Sequence, residues 1–472
     1  MLVALVVLAA AVVAAAVHAA PAKLGGDWTR FGYDAARSSS GPARTGITAA
    51  NVRTLRLRRI KLDGTVDASA IYLRGAKVGG KAHDTLFVTT SYGKTEAFDA
   101  SSGRVLWRFT PPGYSTWAGS AQITNSTPVA DPSRAFVYAA SPDGNIHKLA
   151  VSNGREASGW PVSITRLPSL EKIGVALNFS RGLVLVATGG YIGDTPPYQG
   201  HVVSIDAKTG RIVHVWNSLC SDETALIFPS MCPESDSAIW ARAGVVVEPS
   251  GKLLVATGNG KWDGKRYWGD SVLELSPDAG SLLQNWTPSD QARLNAADVD
   301  LGSTAPALLG NGLAVQSGKD GKMRLLDLTK LNGRGGAGPV TGGELQALPT
   351  PSGQGLFSAP AVWKSGGGTW LFVFDFGATA GYTLSGRTLK PAWHASAPGT
   401  SPVVAGGLLY VYDPGGHLDV YAPKTGKRLA SYAARPGHWN SPIVTDGRVV
   451  LPVGNANDHA LSGTLEIWHL GS

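Results

Sequence analysis

Asp298 and Asp300 stand two residues apart in Asn-Ala-Ala-Asp-Val-Asp. On an extended chain their side chains face the same way, so the carboxylates either share a cation that offsets their repulsion or bond backbone N–H groups of a turn. Asn259, in Ala-Thr-Gly-Asn-Gly, carries an amide oxygen suited to a hard cation such as calcium, and equally suits a left-handed turn between two strands. Lys319 and Trp240, taken alone, read as a hairpin-turn lysine in Lys-Asp-Gly and an ordinary packing tryptophan. Cys220 and Cys232, the only cysteines, bracket a polar loop without a CxxC motif or a histidine partner, so they read as a disulfide staple in an exported protein.

Other chemistries lack their residues. There is no Walker loop, GxSxG elbow or HExxH, and the glycine-rich GNGKWDGK and GGAGPVTGG stretches lack the strand-to-helix setting that phosphate binding needs. No haem-attachment CxxCH occurs, so any electrons leave through a separate carrier. The ten histidines are dispersed; His438, in GHWNSPIV, is the one candidate for a functional histidine, against the favoured reading of a structural histidine beside a blade turn. The formal charge of +8 does not point to nucleic acid. The densest basic cluster, Arg53, Arg56, Arg58, Arg59 and Lys61, alternates with Leu55, Leu57, Ile60 and Leu62 as in a strand with one solvated face. Sequons at Asn125, Asn178 and Asn285 matter only in a glycosylating host.

The elements that must hold these residues are repeats. A strand, a glycine turn and an apolar stretch ending in tryptophan recur as EAFDASSGRVLW, HKLAVSNGREASGW, VSIDAKTGRIVHVW, LELSPDAGSLLQNW and YTLSGRTLKPAW, closing on Trp107, Trp160, Trp216, Trp286 and Trp393. With weaker copies from Met323, from Asp419 and at the C-terminus, the markers Phe98, Leu149, Ile205, Leu275, Leu326, Leu384, Tyr421 and Trp468 define eight units of blade length. The expected fold is all-β, an eight-bladed propeller over residues 21–472. Residues 1–20, uncharged and almost wholly apolar to Val17, read as a secretory signal cleaved near Ala19 or Ala20. The expected location is therefore secreted, periplasmic or cell-envelope, with no membrane span in the mature chain.

These repeats resemble the tryptophan-docking motifs of the quinoprotein alcohol dehydrogenases, and GDWTRFGYDAARSSS is similar to that family's opening strand. The resemblance runs from about Trp28 to the C-terminus and is sharpest between Trp240 and Gly321. It implies pyrroloquinoline quinone (PQQ) lying on Trp240, with Lys319 contacting the quinone oxygens. It also implies a calcium or lanthanide ion on Asn259, Asp298 and Asp300, and Asp298 as the base. The implied function is an exported oxidoreductase acting on an alcohol or sugar with an external electron acceptor, its cofactor bound only with a cation present. Two features depart from the pattern: there is no adjacent cysteine pair, and ATGGYIGDTPPYQGHVVSID offers only Asp194 where the family supplies a metal-binding Glu. The alternative is a non-catalytic propeller serving as a binding or assembly scaffold for an envelope protein. The enzyme reading expects Trp240, Asn259, Asp298 and Lys319 to converge in one axial pocket. It also expects the Cys220–Cys232 loop, with Asp222, Glu223, Phe228 and nearby Glu234, to lie over its mouth as a lid.

Overall fold

Each repeat folds as four antiparallel strands, and the eight sheets form a ring in a computed structural model that describes residues 25–332, 338 and 340–471. The proposed signal segment lies outside the described residues. The eight marker residues all fall on the third strand of their blades, from Phe98 in Thr95–Asp99 to Trp468 in Gly463–His469. The last blade combines both ends of the chain: Ile443–Thr445, Arg448–Val453 and Gly463–His469 are completed by Arg56–Leu62, with Arg56 opposite His469. Arg56–Leu62 is the basic run, and as the outer strand it leaves most of those side chains in water.

Two properties of glycine explain the repeated phrase. Gly154 and Gly426 have φ of 71° and 67°, the left-handed region a tight turn requires. They also leave room for the preceding blade's tryptophan, since a Cβ at Gly154 would lie 2.5 Å from the Trp107 ring and one at Gly426 would lie 2.6 Å from Trp393. Each indole then donates to a carbonyl of the blade it docks on: Trp107 Nε1 to Val151 at 2.9 Å and Trp393 Nε1 to Pro423 at 2.7 Å. The phrase is therefore an inter-blade joint, in which apolar burial and one satisfied indole N–H fix the angle between sheets.

Residues 25–41 form an arm along the inner strands. Trp28 exchanges two 2.8 Å backbone bonds with Tyr72 of the first blade; Thr29 and Ala35 accept from Ala130 and Val247 of the second and fourth, and Ser38 and Ser39 from Val362 and Val404 of the sixth and seventh. The buried Arg37 donates to Phe31, Ala176 and Leu177 carbonyls. The arm is an irregular thread, with a positive φ at Tyr33, Arg37 and Ser39, where the resemblance predicts an opening strand. Ala130, Val247 and Val362 each lie five residues downstream of a residue that lines the axial cavity, Asn125, Arg242 and Phe357 respectively, or roughly 17 Å along an extended chain, and Tyr72 stands at the same remove from Asp67 behind that lining. The arm thus ties the ring together well below the loops that carry chemistry.

Candidate active site in the axial cavity

The loops preceding the inner strands, and those between second and third strands, enclose a cavity of about 700 Å³. Trp240, Asn259, Asp298, Asp300 and Lys319 all line it, arriving from separate stretches of sequence. Three glycines make the convergence sterically feasible. A Cβ on Gly258 would lie 2.5 Å from Asp300 Oδ1, one on Gly302 would collide with the Thr257 backbone, and one on Gly318 would lie 2.7 Å from the Asp300 carbonyl oxygen. The loops carrying Asn259, Asp300 and Lys319 consequently touch backbone to backbone.

Asp300 is the buried member of the acidic pair. Its Oδ1 accepts the Asn259 backbone N–H at 2.6 Å and its Oδ2 lies 2.6 Å from Lys319 Nζ. Asp298, whose side chain is 63% exposed, lies 3.4 Å from the same ammonium, so Lys319 is the cation the two carboxylates share. The extended-chain argument for that pair is corrected here. The segment follows a short helix, Gln291–Ala296, and Asp298 has φ of 52°; Lys319, rather than alternation along a strand, unites the carboxylates. Burial works against the Lys319 charge, but Asp300 and Asp298 outweigh it and raise the ammonium above its ordinary range. Behind them, burial pushes the Asp270 carboxyl up to about 8 while its Oδ1 accepts the Leu301 N–H.

An aromatic group occupies the middle of the lining. The Trp439 ring stacks on Phe357 at 5.4 Å, both lie 6.1 Å from Trp240, and Lys319 Nζ sits 5.6 Å from the Trp240 ring centre. On the other side stand Lys172, Arg242, Asn125 and His438. Burial, with Arg242 nearby, pulls the Lys172 ammonium down to about 8. Arg242 and His438 are both held by Asp67, which is fully buried. Burial pushes the Asp67 carboxyl up, but the Arg242 charge and the His438 hydrogen bond outweigh it and hold it well below the usual carboxylate range.

Asp194, the stand-in for the absent Glu, lines the cavity, where its carboxylate accepts the Tyr198 hydroxyl at 2.8 Å. Cys220 and Cys232 are joined by a disulfide. No residue of that loop is part of the cavity lining; it packs Leu219 and Ile227 against Tyr267, while Tyr191, Ile192 and Gly193 stand beside the cavity instead. The sequon residues Asn125, Asn178 and Asn285 are all buried, which closes them to glycosylation in the folded chain. Among the described residues, no three His, Cys, Asp or Glu side chains cluster closely enough to hold a metal ion by themselves.

A family model described as outer membrane protein assembly factor BamB matches residues 44–274. The quinohemoprotein alcohol dehydrogenase ADH IIB of Pseudomonas putida is 24% identical, the alignment covering 93% of this chain and 74% of that protein. The chain is an eight-bladed β-propeller similar in sequence to the quinoprotein alcohol dehydrogenases. Two solved structures share the propeller fold. The quinohemoprotein alcohol dehydrogenase of Comamonas testosteroni has a TM-score of 0.69 at 17% identity, covering 95% of this chain and 81% of that one. A europium-containing methanol dehydrogenase has 0.68 at 18%, covering 94% and 98%. Within this propeller, the sequence alone did not point to Asp67, Lys172, Arg242, Phe357 or Trp439. Their one shared signal is position: each precedes an inner strand, and only the fold shows that this end of those strands is the cavity end.

Proposed function

We propose that this PQQ-like propeller is an exported quinoprotein oxidoreductase that oxidises an alcohol or sugar in the axial cavity. The observation that carries the reading is the convergence of Trp240, Asn259, Asp298, Asp300 and Lys319 on one cavity of about 700 Å³. A flat, anionic quinone fits that lining. Trp240, Phe357 and Trp439 supply aromatic surface, and Lys319, Lys172 and Arg242 supply positive charge against the cofactor's carboxylates. When bound, the quinone supplies a two-electron acceptor. Lys319 is placed to stabilise negative charge on the quinone oxygens, and an external carrier takes the electrons onward. The oxygen donors Asn259, Asp298 and Asp300 suit calcium or a lanthanide by type. Calcium takes six to eight oxygens, more than these side chains offer, so the ion and the anionic cofactor complete each other's sites and bind together. The substrate hydroxyl proton needs an acceptor on the wall, and two side chains qualify by position: Asp298 beside Lys319, and His438 on Asp67.

The test is reconstitution with PQQ and calcium or a light lanthanide, followed by dye reduction with a panel of alcohols and sugars. Dye reduction by one substrate class supports the reading. Cofactor binding without turnover of any substrate removes the enzyme assignment. The match to the BamB model favours a second reading, a propeller that binds or assembles envelope proteins. That reading takes over if no cofactor binds under any metal condition.

A further inference from the structure

Asp67 accepts four hydrogen bonds, the full capacity of a carboxylate, and His438, Asn125 and Trp439, which it holds, line the cavity. Its Oδ2 accepts from His438 Nδ1 at 2.7 Å, from Asn125 Nδ2 at 2.9 Å and from the Ala456 backbone N–H at 3.3 Å. Its Oδ1 forms an ion pair with Arg242 Nη2 at 3.0 Å and accepts from the Trp439 backbone N–H at 3.3 Å. Fully buried, ionised and surrounded by donors, the carboxylate holds its charge and in turn dictates the state of the imidazole. An ionised carboxylate can only accept, so Nδ1 is the donating nitrogen of this pair, and in the neutral ring the lone pair is then on Nε2. The ring is fixed in orientation as well: it stacks on Trp439 with centroids 4.1 Å apart and planes 21° apart, and its backbone N–H donates to Asn440 Oδ1 at 3.0 Å. His438 lines the axial cavity with its side chain 24% exposed.

We infer that His438, oriented by Asp67, is the proton acceptor of the axial cavity, an inference that rests on the alcohol-oxidising reading above. In the step it would serve, the substrate O–H proton passes to Nε2 and the electron pair of that bond becomes the second bond of the new carbonyl. The adjacent C–H bond would break, its hydrogen leaving with both electrons to a two-electron acceptor of the quinone class, the oxidant of the proposed reaction. Asp298 is the less suited group. It stands 63% exposed, and its carboxylate is already engaged with the Lys319 ammonium, whereas Nε2 carries no hydrogen bond from the described residues. Asp67 acts as a positioning residue: it holds the ring through Nδ1 from behind the cavity lining, and Asn125 donates to the same carboxylate oxygen. The charged groups around the imidazole are Asp67 in contact, Arg242 through Asp67 and over the Trp439 ring, and Lys172 in the same cavity wall.

His438→Asn separates the two roles of the ring, because the Asn amide keeps a donor near Asp67 while deleting the cavity-facing acceptor. With PQQ and calcium bound, the expected result is cofactor affinity within about threefold of wild type and kcat lowered about 10²- to 10⁴-fold, while Asp298→Asn lowers kcat less than His438→Asn does. Full turnover in His438→Asn, or loss of turnover in Asp298→Asn alone, overturns the inference. Two readouts on the chain without any cofactor keep the test independent of the enzyme reading. Nitrogen-15 NMR should show His438 protonated on Nδ1, switching to mixed tautomers in Asp67→Asn. Diethyl pyrocarbonate should modify His438 while sparing the buried His147 and His201. An Nε2–H tautomer, or a His438 that resists the reagent, overturns the assignment even if the protein proves to be an enzyme. Failure of PQQ binding with both readouts as expected instead removes the function reading and leaves a histidine that accepts protons in a ligand cavity of another kind.

Discussion

Replacing Asp67 with Asn tests the electrostatic core of the cavity in a single substitution. The side chain is fully buried and pairs with Arg242, itself only 7% exposed at 3.0 Å, so the substitution leaves a guanidinium without its counter-ion. Breaking a buried pair in this way costs about 3–5 kcal/mol. Arg242 Nη1 keeps its bond to the Asp67 backbone carbonyl at 2.8 Å, which places the expected loss toward the lower end of that range. Unfolding entropy near 2 cal/mol/K per residue makes ~1 kcal/mol/K for a chain of this length, so Tm should fall by about 3–4 °C at pH 7. The pH dependence follows from the direction of the Asp67 shift. Its folded carboxyl is held below the usual range, so its contribution is present above about pH 4 and is lost as pH falls through the folded value. Scanning calorimetry of both proteins from pH 8 to pH 3 is the assay. Wild type and Asp67→Asn should differ most at neutral pH, and the gap should begin to narrow as pH falls below about 4. A Tm within 1 °C of wild type at pH 7, or a gap that widens in acid, would refute the account of Asp67 as an ionised hub.

Lys319→Met should destabilise the chain by about 1–3 kcal/mol at pH 7, because it removes the ammonium on Asp300 Oδ2 and burial, which already raises that carboxyl, drives it toward protonation. Lys319 is raised by its partners, so that difference should persist through neutral pH and close only as pH rises past the ordinary lysine value of about 10.4, which denaturant titration at pH 7 and above pH 10 would show. The same variant vacates the position between Asp298 and Asp300, so calorimetry should find calcium bound more tightly than in wild type. Gly258→Ala forces a methyl against Asp300 Oδ1 and Trp240 Nε1 and should weaken PQQ binding at least tenfold with the propeller intact by circular dichroism. Cys220→Ser with Cys232→Ser should lower stability by ~2–3 kcal/mol through loop entropy, yet leave PQQ affinity unchanged, since the loop is not part of the cavity lining.

The blades were legible because their signal is local. Glycine and tryptophan sit a few residues apart in each phrase, and docking one blade on the next demands both, at Gly154 with Trp107 as at Gly426 with Trp393. The acidic half of the cavity was singled out through the family resemblance between Trp240 and Gly321, and in the structure Gly258, Gly302 and Gly318 let the loops of Asn259, Asp300 and Lys319 touch. The other half was not. Asp67 and His438 lie at opposite ends of the chain and meet only because the last blade closes on the first, a pairing no spacing records. His438 accordingly read as a turn histidine, although it stands on the cavity wall. The Cys220–Cys232 loop shows the opposite error, for a covalent staple is readable from two cysteines but its direction depends on Leu219, Ile227 and Tyr267 packing together.

The central claim is that the axial cavity takes a quinone against Trp240. Its most direct test is a titration of the purified chain with PQQ, followed by calorimetry and tryptophan fluorescence, in calcium or a light lanthanide and again in chelator. The account predicts one PQQ per chain with quenched fluorescence when the cation is present, weakened binding in chelator, and loss of binding in Trp240→Ala. No binding under any metal condition, or equal binding by wild type and Trp240→Ala, would contradict it.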